Sequence, residues 1–65
     1  MSLNLAQLKP LCLAIGHEQN IIAVVEDTIS RLEDANLKSF MEEELNTHKT
    51  MEENLINLLE GKVNE

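Results

Sequence analysis

The chain has 65 residues, a formal net charge of -7 and a hydrophobic content of 43%. This length allows a single domain over residues 1–65 and gives a marginal core for a lone monomer, while the apolar content is too high for a disordered chain. Five basic residues are scattered among twelve acidic ones, which argues against nucleic acid or an anionic membrane surface as a partner. The single cysteine excludes an intrachain disulfide, so self-association is the expected aid to stability and a metal is the second.

The sequence also indicates a location. No apolar run approaches the roughly 18 residues that a membrane span needs. Residues 1–10 lack a basic region followed by an apolar core, so we expect no signal peptide. An unpaired cysteine agrees with a reducing compartment. We therefore expect a cytoplasmic protein that does not bind membranes.

A first helix is predicted from an apolar stripe with steps of three, four or seven residues between Leu8 and Leu32. Asn4 and Gln7 have the spacing of a capping box. Because proline removes an amide donor, we expect either a kink at residues 6–10 or a helix that begins near Pro10. Gly16 is a weak point, but the stripe keeps its phase across it, so we expect one helix that ends near residue 33.

The sequence then predicts a turn at residues 33–36 and a second helix from residue 35 to about residue 60. Asp34 is a suitable N-cap, and Gly61 is a suitable C-terminal stop. The apolar side of this helix comprises Leu37, Phe40, Met41, Leu45, Met51, Leu55, Leu58 and Leu59.

The fold class follows from the short turn, which makes the two helices antiparallel. The apolar arc of the first helix is wider than the roughly 100° that one neighbour covers. We therefore predict an all-α, antiparallel helical hairpin that homodimerises into a four-helix bundle. The expected interface residues are Leu11, Ile15, Ile22, Val25, Ile29, Leu45 and Leu55.

A polar waist interrupts the apolar stripe in the middle of the predicted bundle. Glu44 lies one turn before His48 on the second helix, and Glu18 is expected about one turn away across the hairpin. Carboxylates and an imidazole that project into a helical bundle can bind iron or zinc. If the waist is only a tolerated interruption, replacing His48 with Leu should raise the melting temperature.

The second helix, over residues 34–59, resembles that of small ferritin-like hairpins of the rubrerythrin type. The resemblance rests on the segment from Asp34 to Lys38 and on the later positions Leu45, His48, Met51, Leu55 and Leu58. The family pattern is Glu-x-x-His, whereas Leu45 stands three residues before the histidine here. The resemblance therefore implies the bundle architecture rather than iron binding or oxidation.

A second histidine, His17, precedes Glu18 on the first helix. A His-Glu pair on a dimerising hairpin resembles the phosphoacceptor helix of sensor histidine kinases, although that family has proline where this chain has Ile22. The resemblance implies a phosphotransfer or kinase-docking hairpin, with phosphate supplied by a partner.

No motif of a catalytic site is present. Cys12 lies among apolar residues, so we expect a buried, inert thiol. The favoured interpretation is a small, non-enzymatic structural, interaction or regulatory module without a cofactor, which forms a homodimer and has room for a further protein partner. The alternatives are a metal-binding bundle that uses Glu44, His48 and Glu18, and a phosphotransfer hairpin that uses His17.

Overall fold

The structure, a computed structural model, describes residues 4–63, with side chains described as far as residue 61. It contains two helices, α1 (Leu5–Arg31) and α2 (Ala35–Val63), which pack against each other as a hairpin. The predicted all-α helical hairpin is therefore confirmed. Neither helix has a stretch that is long and apolar enough to cross a membrane.

The start of α1 is fixed by the predicted capping box. The Asn4 side chain accepts a hydrogen bond from the Gln7 backbone N–H at 3.0 Å. The Gln7 side-chain oxygen in turn accepts from the Asn4 backbone N–H at 3.2 Å. Two amide groups that a helix start leaves unpaired are thus satisfied, which is the reason that α1 begins at Leu5.

Pro10 lies inside α1 and does not mark its beginning. The expectation of a helix that begins near Pro10 is therefore wrong. Proline lacks the amide that would complete one intrahelical bond, at a cost of about 3 kcal/mol in a helix interior. The capping box lies one turn before this position and holds the preceding residues helical. The helix also continues through Gly16, as the unbroken phase of the apolar stripe predicted.

The turn between the helices comprises residues 32–34, one residue shorter than the predicted turn at residues 33–36. Leu32 is extended, with φ -81° and ψ 139°, and its amide still bonds to the Ile29 carbonyl at 3.2 Å. Asp34 caps α2 as predicted, because its side chain accepts from the Leu37 amide at 2.9 Å.

The end of α2 differs from the prediction at Gly61. The helix continues through this glycine to Val63, and no glycine in the described residues has a positive φ. A glycine stops a helix when it adopts the left-handed conformation. Gly61 keeps the ordinary helical hand, so it terminates nothing.

The contact between the helices is a seam in which residues recur at alternating steps of three and four. This is the spacing of a coiled coil. Ile22 and Val25 are buried, and the other apolar seam residues are half-buried. The seam consists of Leu8, Leu11, Ile15, Glu18, Ile22, Val25, Ile29 and Leu32 on α1, and of Lys38, Met41, Leu45, His48, Glu52, Leu55 and Leu59 on α2.

The hairpin is long and thin. It measures 48 × 15 × 11 Å and has a radius of gyration of 14.9 Å, whereas a compact domain of this length has about 10.7 Å. A two-helix pair has a single contact line, so most side chains have solvent on at least one side. Among the described residues, no large side chain is completely buried.

Candidate functional site

The most buried polar group of the seam is the carboxylate of Glu18, which bonds to His48. The His48 Nδ1 and the Glu18 carboxylate oxygen are 2.6 Å apart. The Glu18 side chain is only 8% exposed and the His48 side chain 23%. The sequence predicted that these two residues lie about one turn apart across the hairpin, and the structure brings them into direct contact.

The chemistry of the pair fixes the direction of its hydrogen bond. An ionised carboxylate only accepts hydrogen bonds, so with Glu18 in its ionised form the His48 Nδ1 is the donor. Such charge-assisted bonds are stronger than those between neutral groups. The bond satisfies the buried carboxylate, and it leaves the Nε2 of His48 as the ring nitrogen that is free to accept a proton or bind a cation.

Glu44, the third residue of the predicted waist, does not join this pair. Its side chain is exposed, although it lies one turn before His48. Glu52, one turn after His48, is half-buried in the seam. Within the part of the chain that the structure describes, no three histidine, cysteine or acidic residues converge in a way that would hold a metal ion.

His17 and Cys12 are both exposed residues of α1, and neither takes part in the polar pair. The prediction of a buried thiol is wrong, because Cys12 is exposed. It is one residue beyond Leu11 of the seam, and this step turns it toward solvent. His17 is exposed as well, and the phosphotransfer role predicted for it stays a prediction.

A shallow depression surrounds Gly16 on the outer side of α1. Its lining consists of Leu8, Lys9, Cys12, Leu13, Gly16, His17 and Asn20. Gly16 has no side chain, and apart from the neighbouring backbone of α1 nothing lies within 4 Å of the place where a Cβ would be. All of the lining residues belong to α1, so this surface is formed by one helix alone.

A second apolar stripe runs beside the seam on α2. Leu37, Met51 and Leu58 lie at intervals of seven or fourteen residues, each one position before a seam residue, and Phe40 lies one turn after Leu37. All four are exposed, Phe40 by 57% and Leu37 by 53%. The sequence pattern placed them with the seam on one apolar side, but the structure separates the two stripes.

The corresponding stripe of α1 contains Ile21 and Val24. Ile21 is half-buried and also stands one position before a seam residue, and Val24 is 65% exposed. Two antiparallel helices are related by an approximate two-fold axis that is normal to the plane containing both helix axes. The positions just before the seam residues of α1 therefore lie on the same side of the hairpin as the positions just before the seam residues of α2. We call this surface the apolar face and define it as Ile21, Val24, Leu37, Phe40, Met51 and Leu58.

The seven residues predicted as an interface belong to the contact between the two helices of one hairpin, and their role between chains stays a prediction. Each lies in the seam between α1 and α2, and none is exposed. The sequence reasoning did not distinguish the apolar face from this seam. A seven-residue repeat in the sequence distinguishes the seam of α2 from the apolar face. Its seam positions are residues 38, 45, 52 and 59, and the positions just before these are residues 37, 44, 51 and 58.

Known proteins add no further constraint on the site. Comparisons with protein families, curated proteins and solved structures find no match in any of the three. The function is therefore argued from the geometry of the polar pair and the apolar face.

Proposed function

We propose that this chain is a non-enzymatic structural or interaction module that acts as a helical-bundle oligomer, in which two hairpins form a four-helix bundle. The exposed, unpaired Cys12 supports a reducing compartment such as the cytoplasm as its location. Within residues 4–61, the two helices touch along one line and leave no enclosed pocket for a reaction, which favours binding over catalysis.

The observation that carries the proposal is the excess of exposed surface. The hairpin has an accessible surface of 4890 Å² for 7.3 kDa, about 700 Å² more than the roughly 4200 Å² of a compact monomer of this mass. A standard protein interface buries about 800 Å² on each partner. The surplus is thus close to one protomer's share of a standard interface.

The thin core supports the same conclusion. Ile22 and Val25 are the only apolar residues buried in the described part of the chain. Full burial of such a side chain contributes about 1.5–3 kcal/mol, whereas ordering each backbone residue costs about 1–2 kcal/mol. Association supplies the burial that a single hairpin lacks.

Thermal unfolding at several protein concentrations tests this proposal. If folding is coupled to association, the melting temperature rises with protein concentration, because mass action favours the associated native state. We expect a steady rise over a hundredfold range of concentration. A melting temperature that stays constant over this range, with a cooperative transition, would contradict the proposal.

The polar pair supports metal binding as a second candidate function. A metal-bound histidine usually donates its other ring N–H to a carboxylate, and the bond from His48 Nδ1 to Glu18 has this form. Nε2 would then be the ligand atom for zinc or iron, with the exposed Glu44, one turn before His48 on the same helix, as a further carboxylate ligand.

Equilibrium dialysis against zinc tests this candidate with a matched pair of variants. His48→Gln should abolish stoichiometric zinc binding, while His17→Gln, at the other and exposed histidine, should retain it. Equal zinc binding by both variants, or no stoichiometric zinc on the unmodified chain, would exclude the polar pair as the metal site.

A further inference from the structure

The apolar face is an exposed apolar surface of the described residues, and it includes residues of both helices. Val24 on α1 and Leu37, Phe40, Met51 and Leu58 on α2 are each between 44% and 65% exposed. Extended exposed apolar patches of this kind mark interaction sites in small proteins. On α2 the face runs from Leu37 in the first turn to Leu58, and the helix continues to Val63.

The charges of the hairpin are concentrated elsewhere. On the opposite side, the positions just after the seam residues include Glu26, Glu42 and Lys49. The equivalent positions on the side of the apolar face include two charged residues, Arg31 and Glu44. Each chain has a formal net charge of -7, so two copies repel each other least when their least charged surfaces meet.

We propose that the apolar face of one hairpin packs against the same face of a second copy of this chain. This inference rests on the proposed function and deepens it, because it names the surface and the partner. The surplus of about 700 Å² per chain matches the share that each protomer buries in a standard interface. A shared face makes the contact isologous, so the assembly closes as a two-fold symmetric dimer.

The depression around Gly16 is the rival surface. It contains an exposed apolar residue, Leu13, that is 74% exposed. However, it lies on α1 alone, and Lys9 and His17 contribute to its lining. A partner bound at this depression would leave the exposed apolar residues of α2 in solvent. The excess of accessible surface on α2 would therefore remain.

Two variants with the same added charge separate these surfaces. Phe40→Glu places a carboxylate in the apolar face, and Leu13→Glu places one on the outer side of α1. Both residues are exposed within the hairpin, so neither change buries a charge in the single chain. Sedimentation velocity of both variants and of the unmodified chain gives the oligomeric state, and circular dichroism monitors the helix content.

We expect the unmodified chain and Leu13→Glu to sediment as dimers and Phe40→Glu to weaken the dimer at least tenfold in dissociation constant. A monomeric unmodified chain would overturn the proposed function and this inference together. A dimeric unmodified chain whose association is equally strong in Phe40→Glu, or is weakened most by Leu13→Glu, would overturn the face and leave the proposed function standing.

A labelling experiment keeps the inference testable if Phe40→Glu fails to fold. The native thiol of Cys12 lies on the outer side of α1 and is exposed. In a Cys12→Ser background, Met51→Cys introduces a thiol in the apolar face. At dimeric concentrations, Met51→Cys should react with a maleimide at least tenfold more slowly than native Cys12. Equal rates at the two positions would overturn the inference.

Discussion

The residue that sets the polar character of the seam is Glu18, whose buried carboxylate relies on His48. Burial removes the water that would solvate the carboxylate, so the 2.6 Å bond to His48 Nδ1 must replace it. In the described residues, every buried side-chain nitrogen and oxygen atom has a hydrogen-bond partner. The polar residues that interrupt the apolar stripe in the sequence therefore satisfy each other by a hydrogen bond in the structure.

This contact reverses the prediction made from the sequence for His48→Leu. The substitution leaves the Glu18 carboxylate buried without its partner, which costs about 1–3 kcal/mol. For a chain of this size, each 1 kcal/mol lowers the melting temperature by about 4–8 °C. We expect thermal unfolding of His48→Leu to show such a decrease.

The matched control is the double variant Glu18→Leu with His48→Leu. Replacing both members of a buried polar pair by apolar residues is often neutral or stabilising. The double variant should therefore melt at or above the temperature of the unmodified chain. A single variant that is as stable as the double variant would show that the hydrogen bond contributes nothing.

Ile22 defines the centre of the seam and provides a second test at this scale. Ile22→Asp places an unpaired charge at a position that is 8% exposed, so it should unfold the chain or lower its stability by several kcal/mol. Glu53→Lys, at an exposed position of α2, should change stability by less than about 0.5 kcal/mol. Chemical denaturation that gives equal effects for the two variants would show that the assigned seam is wrong.

The two helices could be predicted from local signals, and their ends only in part. Asn4 and Asp34 have side chains that bond to nearby amides, so these caps depend only on a few neighbouring residues. Pro10 and Gly61 are different. A proline or a glycine permits a helix to end but does not require it, and the balance depends on the neighbouring turns, which the sequence pattern does not weigh.

Gly16 offers a test of the stability of α1 as a continuous helix. Its backbone is helical, and a Cβ would meet nothing within 4 Å. Gly16→Ala should therefore raise stability by about 1 kcal/mol, because alanine has the higher helix propensity. Chemical denaturation measures this change in stability. The control is Gly61→Ala near the end of α2, where a Cβ also has open space.

The outcome for Gly16→Ala also bears on the partner surface. A methyl group at this position partly fills the depression on the outer side of α1. If Gly16→Ala lowered stability or weakened association, a neighbouring helix would have to approach α1 at this point. That result would favour the depression over the apolar face.

At the scale of the whole molecule, the sequence predicted the hairpin but merged two surfaces of α2. Met41 and Leu45 face α1, whereas Leu37 and Phe40 belong to the apolar face. Both stripes consist of apolar residues at helical spacing, so hydrophobicity alone cannot distinguish them. The packing of α1 along only one of them makes the distinction, and that packing is a tertiary effect.

The separation of the seam from the apolar face explains why the wide apolar arc of the first helix led to the prediction of an oligomer. A single antiparallel neighbour covers the seam and leaves the second stripe in solvent. The radius of gyration of 14.9 Å, against about 10.7 Å for a compact domain, describes an elongated hairpin. A second hairpin on the apolar face would complete a four-helix bundle with the Glu18–His48 pair inside each hairpin.

The most direct test of self-association is the molar mass in solution at micromolar concentration. Sedimentation equilibrium of the unmodified chain should give twice the 7.3 kDa of one chain, with a mass that falls only on strong dilution. A folded, helical species whose mass stays at 7.3 kDa across the micromolar range would contradict the account.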